Sequence, residues 1–429
     1  MKEIFEKIGP LPRHINSPSY DLALSALAEK YRLEIHKYDS THNHNGWVIP
    51  PKYHVESAHI KFNGELIYDG CSHPLGVISY SKSFSGKVTK EELLKHCYYD
   101  HRNEEWIPYH FRQSYRPWDR DWGFCLPKKI IENLRDGIYD VEINVIDGVE
   151  ELKIGRGYLK GKSDLNIALC AHLDHPGLVN DDLSGVVVIL EALEKLRDAN
   201  LNYGIEVFVV PEIIGTQYYL NNNKVPFEGL FVESVGQGGD FCLQQSLNGV
   251  SIMDSIASNL VVNNYSGQVA SFRSVYGNDE INFESFGCPM PSLTRGVFAG
   301  YHSSEDNVSN ISYDCVSEAI SLVVDIVKGY QSHCIIEKKF IGVIALANPM
   351  HNLYVDPGQI AFGMPGESAE LRKIMDALPT YGKYISMSKM LKHLNIACTE
   401  KVINYLKLWE DRGLIKLHGL YDVEVARQN

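Results

Sequence analysis

The spacing of apolar and polar positions changes character along this chain, and each change marks a different kind of element. Near the start, Asp21–Tyr31 carries Leu22, Leu24, Leu27 and Ala28 at helical spacing, which predicts one buried helix face. From Asn43 to Cys125 the texture shortens to strand-like runs, Ser57–Phe62 and Glu65–Tyr68, among aromatic, His, Gly and Pro residues. One helix start interrupts them at Thr89, with a Glu three residues on as in a capping box. From about residue 130 the pattern is regular. Strands are predicted at Tyr139–Ile146 and Glu151–Leu159, joined as a hairpin through Asp147-Gly148. A short apolar run of buried-strand type follows at Leu165–Cys170, then a helix over Val186–Arg197. Gly204–Val210, a helix from Thr216, Leu230–Glu233, a hairpin-like Asp240–Ser246, a helix over Ser251–Val262, the run Pro291–Thr294 and a helix over Asp314–Gly329 complete the region.

Strands alternating with helices predict an α/β domain, a sheet with helices on both faces. It is assigned to residues 1–42 and 126–345, with 43–125 inserted as a small β-rich domain. A loop rich in Gly and Pro after Pro349 marks a boundary. Beyond it, helical stretches at 367–378, 386–394 and 399–413 precede two extended runs, 414–419 and 421–425. Three helices and a hairpin make the winged-helix pattern, predicted over 360–429.

The chain has 429 residues and a formal net charge of −13, which argues against a general nucleic-acid or acidic-membrane binder. The winged-helix stretch does not reverse this. Its third helix sets Glu400, Glu410 and Asp411 against Lys401, Lys407 and Arg412, whereas a phosphate-binding face is one-sidedly basic. The winged-helix and inserted domains are therefore expected to serve packing or self-association into a homo-oligomer. No apolar run is long enough to span a membrane, and the first residues do not read as a signal peptide. Nine cysteines, scattered singly, favour a reducing compartment, and the cytoplasm is the expected location.

The chemistry concentrates in Ala171–Gly185, AHLDHPGLVNDDLSG, where a buried strand ends and a buried helix begins. That edge of an α/β sheet is where ligands bind. His172 and Asp174 are two apart, so an extended chain points both the same way. Asp181, Glu212, Glu233 and His302 follow at later strand ends. Imidazoles and carboxylates converging there suit a divalent metal, with a spare carboxylate to take a proton from water. His175 could support a metal ligand, but beside Pro176 it reads more readily as a turn residue. His42, His44, His54 and His59 match no ligand spacing and are expected to be surface or hydrogen-bonding residues. Tyr109, Arg112, Tyr115, Arg116, Trp118 and Trp122 offer either a surface for a small polar ligand or the core of the inserted domain.

The motifs HLD, NDDLSG, PEIIG, FVESVG and YHSSEDN, in this order, resemble those of zinc aminopeptidases of the bacterial leucyl-aminopeptidase type. The resemblance implies a zinc-aminopeptidase-like mixed sheet. It also implies metal ligands at His172, Asp181 (shared between ions), Glu233 and His302, with Asp174 orienting His172 and Glu212 as general base. The whole chain, through IPYHFRQSY, WGFC, HPGLVNDDLSG, PEIIGT and GNDEINF, resembles more closely a group of aminopeptidase-like proteins linked by name to polysaccharide biosynthesis. These carry an inserted β module and, in some members, a C-terminal winged helix. One departure stands out: the aminopeptidases have a second Glu, a metal ligand, where this chain has Ile213.

These readings lead to an expected zinc-dependent hydrolase, an aminopeptidase holding one or two zinc ions and acting on a small peptide or aminoacyl amide. Asp279 and Glu280 would hold the substrate's amine or else lie in a solvated turn. Arg295 would meet a substrate carboxylate or a structural acid. Tyr109 and Arg112 would line the cleft. Two other readings stay open: an amide hydrolase acting on an amino-acid-modified sugar precursor, and a non-catalytic sensor using the metal cleft and the winged helix.

Overall fold

An apolar run without alternation must be covered on both faces, and such runs form the middle of the main sheet. The computed structural model describes residues 1–42, 45–358 and 368–419. It comprises two compact units, one of residues 1–159, 167–199 and 205–326, the other of 160–166, 200–204 and 327–429. The eight strands of the main sheet are, in chain order, β1 (Glu34–Tyr38), β2 (Leu152–Leu159), β3 (Asn166–His172), β4 (Gly204–Val210), β5 (Glu228–Val232), β6 (Cys242–Gln244), β7 (Gln268–Ala270) and β8 (Ser292–Thr294). Their order across the sheet is β1-β2-β4-β3-β5-β8-β6-β7. The sheet is mixed: β3, β5 and β8 run parallel, while β1, β2 and β4 alternate. Every residue of β4 and β5 is buried, and so is β3 after its first residue.

The predicted hairpin through Asp147-Gly148 does not form. Ile138–Asp147 pairs instead with Tyr53–Phe62 and Phe84–Thr89, in a four-stranded antiparallel sheet with Glu65–Asp69. Its burial alternates residue by residue, as expected for a strand covered on one face only. The four-stranded sheet thus takes one of its longest strands from beyond Cys125, where the inserted segment was expected to end. Its covered face holds Ala58, Ile60, Phe124, Tyr139 and Val141. Asp240–Ser246 is likewise no hairpin, because Cys242–Gln244 lies between β8 and β7 in the main sheet. The helices Gly185–Lys195, Ile214–Asn222, Ile252–Asn263 and Tyr313–Gln331 fall where periodicity placed them.

In the second unit a three-stranded antiparallel sheet is ordered Tyr384–Ser386, Ile335–Lys338, Ile415–His418. Three helices accompany it, Ala369–Ala377, Met387–His393 and Glu400–Asp411, each with a Ser or Thr side chain capping its first turn. Glu400–Asp411 buries Val402, Ile403, Tyr405, Leu406 and Trp409, a single apolar stripe. The central strand Ile335–Lys338 was not anticipated. The second wing strand expected at 421–425, most of the Gly/Pro loop and His44 lie outside the described residues.

Candidate metal centre

The ends of β3, β4 and β5 bring His172, Glu212 and Glu233 to one edge of the sheet, and the loop after β3 adds His175 and Asp181. Asp181 is the hub, fully buried. His172 Nε2 is 3.1 Å from its Oδ1, and His302 Nε2 is 3.1 Å from its Oδ2. His175 Nδ1 lies 3.2 Å from Oδ1, and His175 Nε2 lies 3.4 Å from Glu212 Oε2. Tyr115 donates to the same Glu212 oxygen at 2.6 Å. Among the described residues one trio, His172, His175 and Asp181, places three metal-capable atoms within 4.8 Å of one another.

The loop that carries Asp181 is held by its own backbone accounting. Its N–H groups at Val179, Asn180 and Asp181 all donate to the Asp306 carboxylate. Its carbonyls at Leu173, His175 and Leu178 accept from the buried guanidinium of Arg13. Asp182 accepts from the N–H groups of His172, Gly185 and Ser234, tying the ends of β3 and β5 to the following helix. Buried backbone groups need partners, so these three side chains are what let a polar loop sit in the core. Asp306→Asn keeps one acceptor oxygen but turns an N–H donor toward Asp181 N–H. A loss of about 2 kcal/mol of stability is expected, read as a lower urea midpoint at unchanged slope.

Glu212 sits on a sharp elbow. Its backbone N–H donates to Asp174 Oδ1 at 2.7 Å. Ile213 has φ +60°, a strained value for a β-branched residue. Asp279 holds that residue through its N–H at 2.9 Å, and Asn282 holds its carbonyl at 2.6 Å.

The expected substrate residues divide. Asp279 is spent on the elbow. Glu280 is buried and accepts from Asn278 N–H, while Asn278 in turn donates to Glu233. Arg295 pairs with Glu318 and lies over the Phe241 ring, so the structural acid is the partner found. Arg112 is exposed on the short turn Arg112–Tyr115. Tyr109 reaches the centre, its ring 5.1 Å from that of His175 and 5.2 Å from that of His302. His175 and Tyr115 were named from the sequence, the first as a support or a turn residue and the second on a ligand surface or in a core, whereas Asp182, Asp306, Asn278 and Arg13 were not foreseen as contributors. The motif letters NDD and SSEDN contain two of them, and nothing local points to Arg13.

The residues present fit a divalent cation. Burial and the neighbouring Asp181 charge push the carboxyls of Glu233 and Asp182 well up. Burial and His175 work against charge on His172, yet the hydrogen bond to Asp181 and the charges of Asp182 and Glu212 raise it to about 10. Such concentrated negative charge is what a cation neutralises. Asp181 Oδ2, Glu233 Oε1, His175 Nδ1 and His302 Nε2 are buried atoms without a hydrogen bond. Imidazole nitrogen with carboxylate oxygen is a zinc donor set.

The architecture is that of the zinc-aminopeptidase fold, a large mixed sheet flanked by helices with a polar cluster at its strand ends. The chain belongs to the DUF4910 family, a domain of unknown function, whose pattern matches residues 2–332. It is 26% identical over 333 residues, 76% of each chain, to a Clostridium acetobutylicum candidate polysaccharide-biosynthesis protein with an aminopeptidase-like domain. A crystal structure of a candidate peptidase from Clostridium acetobutylicum superposes with a TM-score of 0.73 at 22% identity, covering 97% of this chain and 95% of that one. A zinc aminopeptidase from Bacillus subtilis follows at TM-score 0.56 and 14% identity, covering 77% and 94%. An aminopeptidase from an Aneurinibacillus species reaches TM-score 0.50 at 14% identity, covering 76% and 91%.

Proposed function

We propose that this chain is a zinc-dependent hydrolase that removes an N-terminal residue from a small peptide or aminoacyl amide. The observation that carries the reading is the buried Asp181 carboxylate with three imidazoles around it, several of their polar atoms lacking hydrogen bonds. His172, Asp181, Glu233 and His302 are assigned as the residues that hold zinc. When bound, the ion supplies Lewis acidity to a scissile carbonyl and makes water easier to deprotonate. Glu212 takes the proton from the attacking water. Its elbow, strained at Ile213 and tied to Asp174 and Asp279, aims the carboxylate, and Tyr115 holds the oxygen in place. Tyr109 and Phe111 stand against His302, each with ring centres 5.2 Å away, and wall the site on that side. A wall so close favours substrates that enter by one end.

A second reading, hydrolysis of an amide on an amino-acid-modified sugar precursor, is favoured by the Clostridium relative's link to polysaccharide biosynthesis. The C-terminal helices and three-stranded sheet are assigned as a winged-helix domain used in self-association. Nine free thiols support a cytoplasmic site of action, and no described helix is long and apolar enough to cross a membrane.

Zinc-loaded protein is expected to hydrolyse aminoacyl anilides. Chelation should lower turnover by about 10³-fold or more, with recovery on adding zinc. His172→Ala should lose bound zinc by elemental analysis. Turnover indifferent to chelation, or protein that takes up no stoichiometric zinc, would end the zinc-dependent reading. Comparing free dipeptides with aminoacylated sugars separates the two substrate classes.

A further inference from the structure

The resemblance to zinc aminopeptidases implies a metal-binding Glu where this chain has Ile213, which offers no donor, so the donors actually present around Asp181 decide what the centre can hold. The strand-end loop supplies a candidate that sequence spacing reads as a turn residue. His175 is almost fully buried, so its two ring nitrogens must be spent on something. Nε2 is within hydrogen-bond reach of Glu212 Oε2 at 3.4 Å. A hydrogen on Nε2 leaves the lone pair on Nδ1. Nδ1 lies 3.2 Å from Asp181 Oδ1 yet makes no hydrogen bond, and Asp181 Oδ2 and His302 Nε2 also stand close without one. Buried acceptor atoms held this close call for a shared cation between them. Two ligands of one tetrahedral zinc, each about 2.0–2.1 Å from the ion, stand roughly 3.3 Å apart. Metal-bound histidines also characteristically give their second N–H to a carboxylate, as His175 does to Glu212.

The geometry points to His175 as a zinc ligand through Nδ1, a further donor from the loop after β3 that faces the same Asp181 oxygen as His172. This rests on the zinc reading above and extends it. It gives Glu212 a definite place: the carboxylate accepts from His175 and Tyr115 and stays off the metal, free to act on water. It also explains why the loop backbone is clamped at this residue, where Arg13 binds the His175 carbonyl at 2.8 Å. A ligand on a loop is only as well placed as the loop.

The test uses the full chain, equilibrated with buffered zinc, with folding checked by circular dichroism. His175→Ala is expected to bind one zinc ion fewer per chain than wild type. Its affinity for that ion should fall by more than the roughly 10–100-fold seen when a residue merely supporting a ligand is lost. Should the alanine variant fold poorly, His175→Cys loaded with cobalt(II) gives a second readout. A thiolate on the metal adds a near-ultraviolet charge-transfer band absent from cobalt-loaded wild type. An alanine variant that keeps the wild-type zinc count, with affinity within about tenfold, overturns the assignment and leaves the zinc reading standing. Wild-type protein that binds no zinc overturns both.

Discussion

Glu212→Gln is expected to lower turnover of a scissile amide by about 10²–10⁴-fold while leaving bound zinc unchanged. The glutamine keeps the volume and can still accept from Tyr115, so the elbow survives. What is lost is a carboxylate able to take a proton. Burial alone would push the Glu212 carboxyl up, but the hydrogen bond from His175, the charges of His172 and His175 and the bond from Tyr115 bring it down to about 2. It is therefore ionised across the working range, the state a general base requires. Zinc content decides the alternative role. If Glu212 were itself a ligand, the variant would lose an ion along with activity, and no obvious base would remain among its neighbours. Retained zinc with lost turnover assigns it to proton transfer. Unchanged turnover would remove it from the chemistry altogether.

How much of this arrangement could be read in the letters depended on whether a residue's role is set locally. His172 and Asp181 were legible because a buried strand ends at one and a buried helix starts just beyond the other. Both features follow from short apolar runs. The central strands were legible for the same reason. The pairing of Ile138–Asp147 was not, since the hairpin signal at Asp147-Gly148 competes with two partners that offer longer registers, from Tyr53–Phe62 and Phe84–Thr89. A turn dipeptide permits a hairpin but does not require one. His175 reads more readily as a turn residue than as support for a ligand because Pro176 follows it. Its ring direction is set by a loop whose carbonyls are held from the N-terminal segment, a contact 162 residues away in sequence. Asp279 invited two roles, holding the substrate's amine by the family resemblance or lying in a solvated Gly/Asn turn. Only the fold shows it fully buried beneath the elbow at Ile213. Burial pushes its carboxyl up to about 8, so it suits an internal acceptor better than a standing charge.

The largest stability effect is expected at Arg13, far from any motif. The guanidinium is completely buried and gives hydrogen bonds to the carbonyls of Ile8, Leu173, His175 and Leu178. Burial lowers its pKa to about 10, with the charges of Asp174, Asp306 and Asp181 working the other way, so it remains charged at neutral pH. Arg13→Ala leaves the carbonyls of Leu173, His175 and Leu178 without their donor, while that of Ile8 keeps the N–H of Leu11, and it opens a cavity; each orphaned group costs about 1–3 kcal/mol. Some of the carbonyls will gain water in the vacated space, so a net loss of about 4 kcal/mol or more is expected from urea denaturation. Arg13→Lys should recover less than half of it, because an ammonium cannot reproduce the planar fork. The same variants should bind zinc more weakly, by about 10–100-fold, since the loop bearing His175 and Asp181 loses the brace that sets its course. A loss below about 1 kcal/mol with undiminished zinc affinity would mean that water satisfies the carbonyls unaided. The loop would then hold its shape through Asp306 and Asp182 alone. Either result separates the two halves of the backbone accounting, the carbonyls that Arg13 serves and the N–H groups that the aspartates serve.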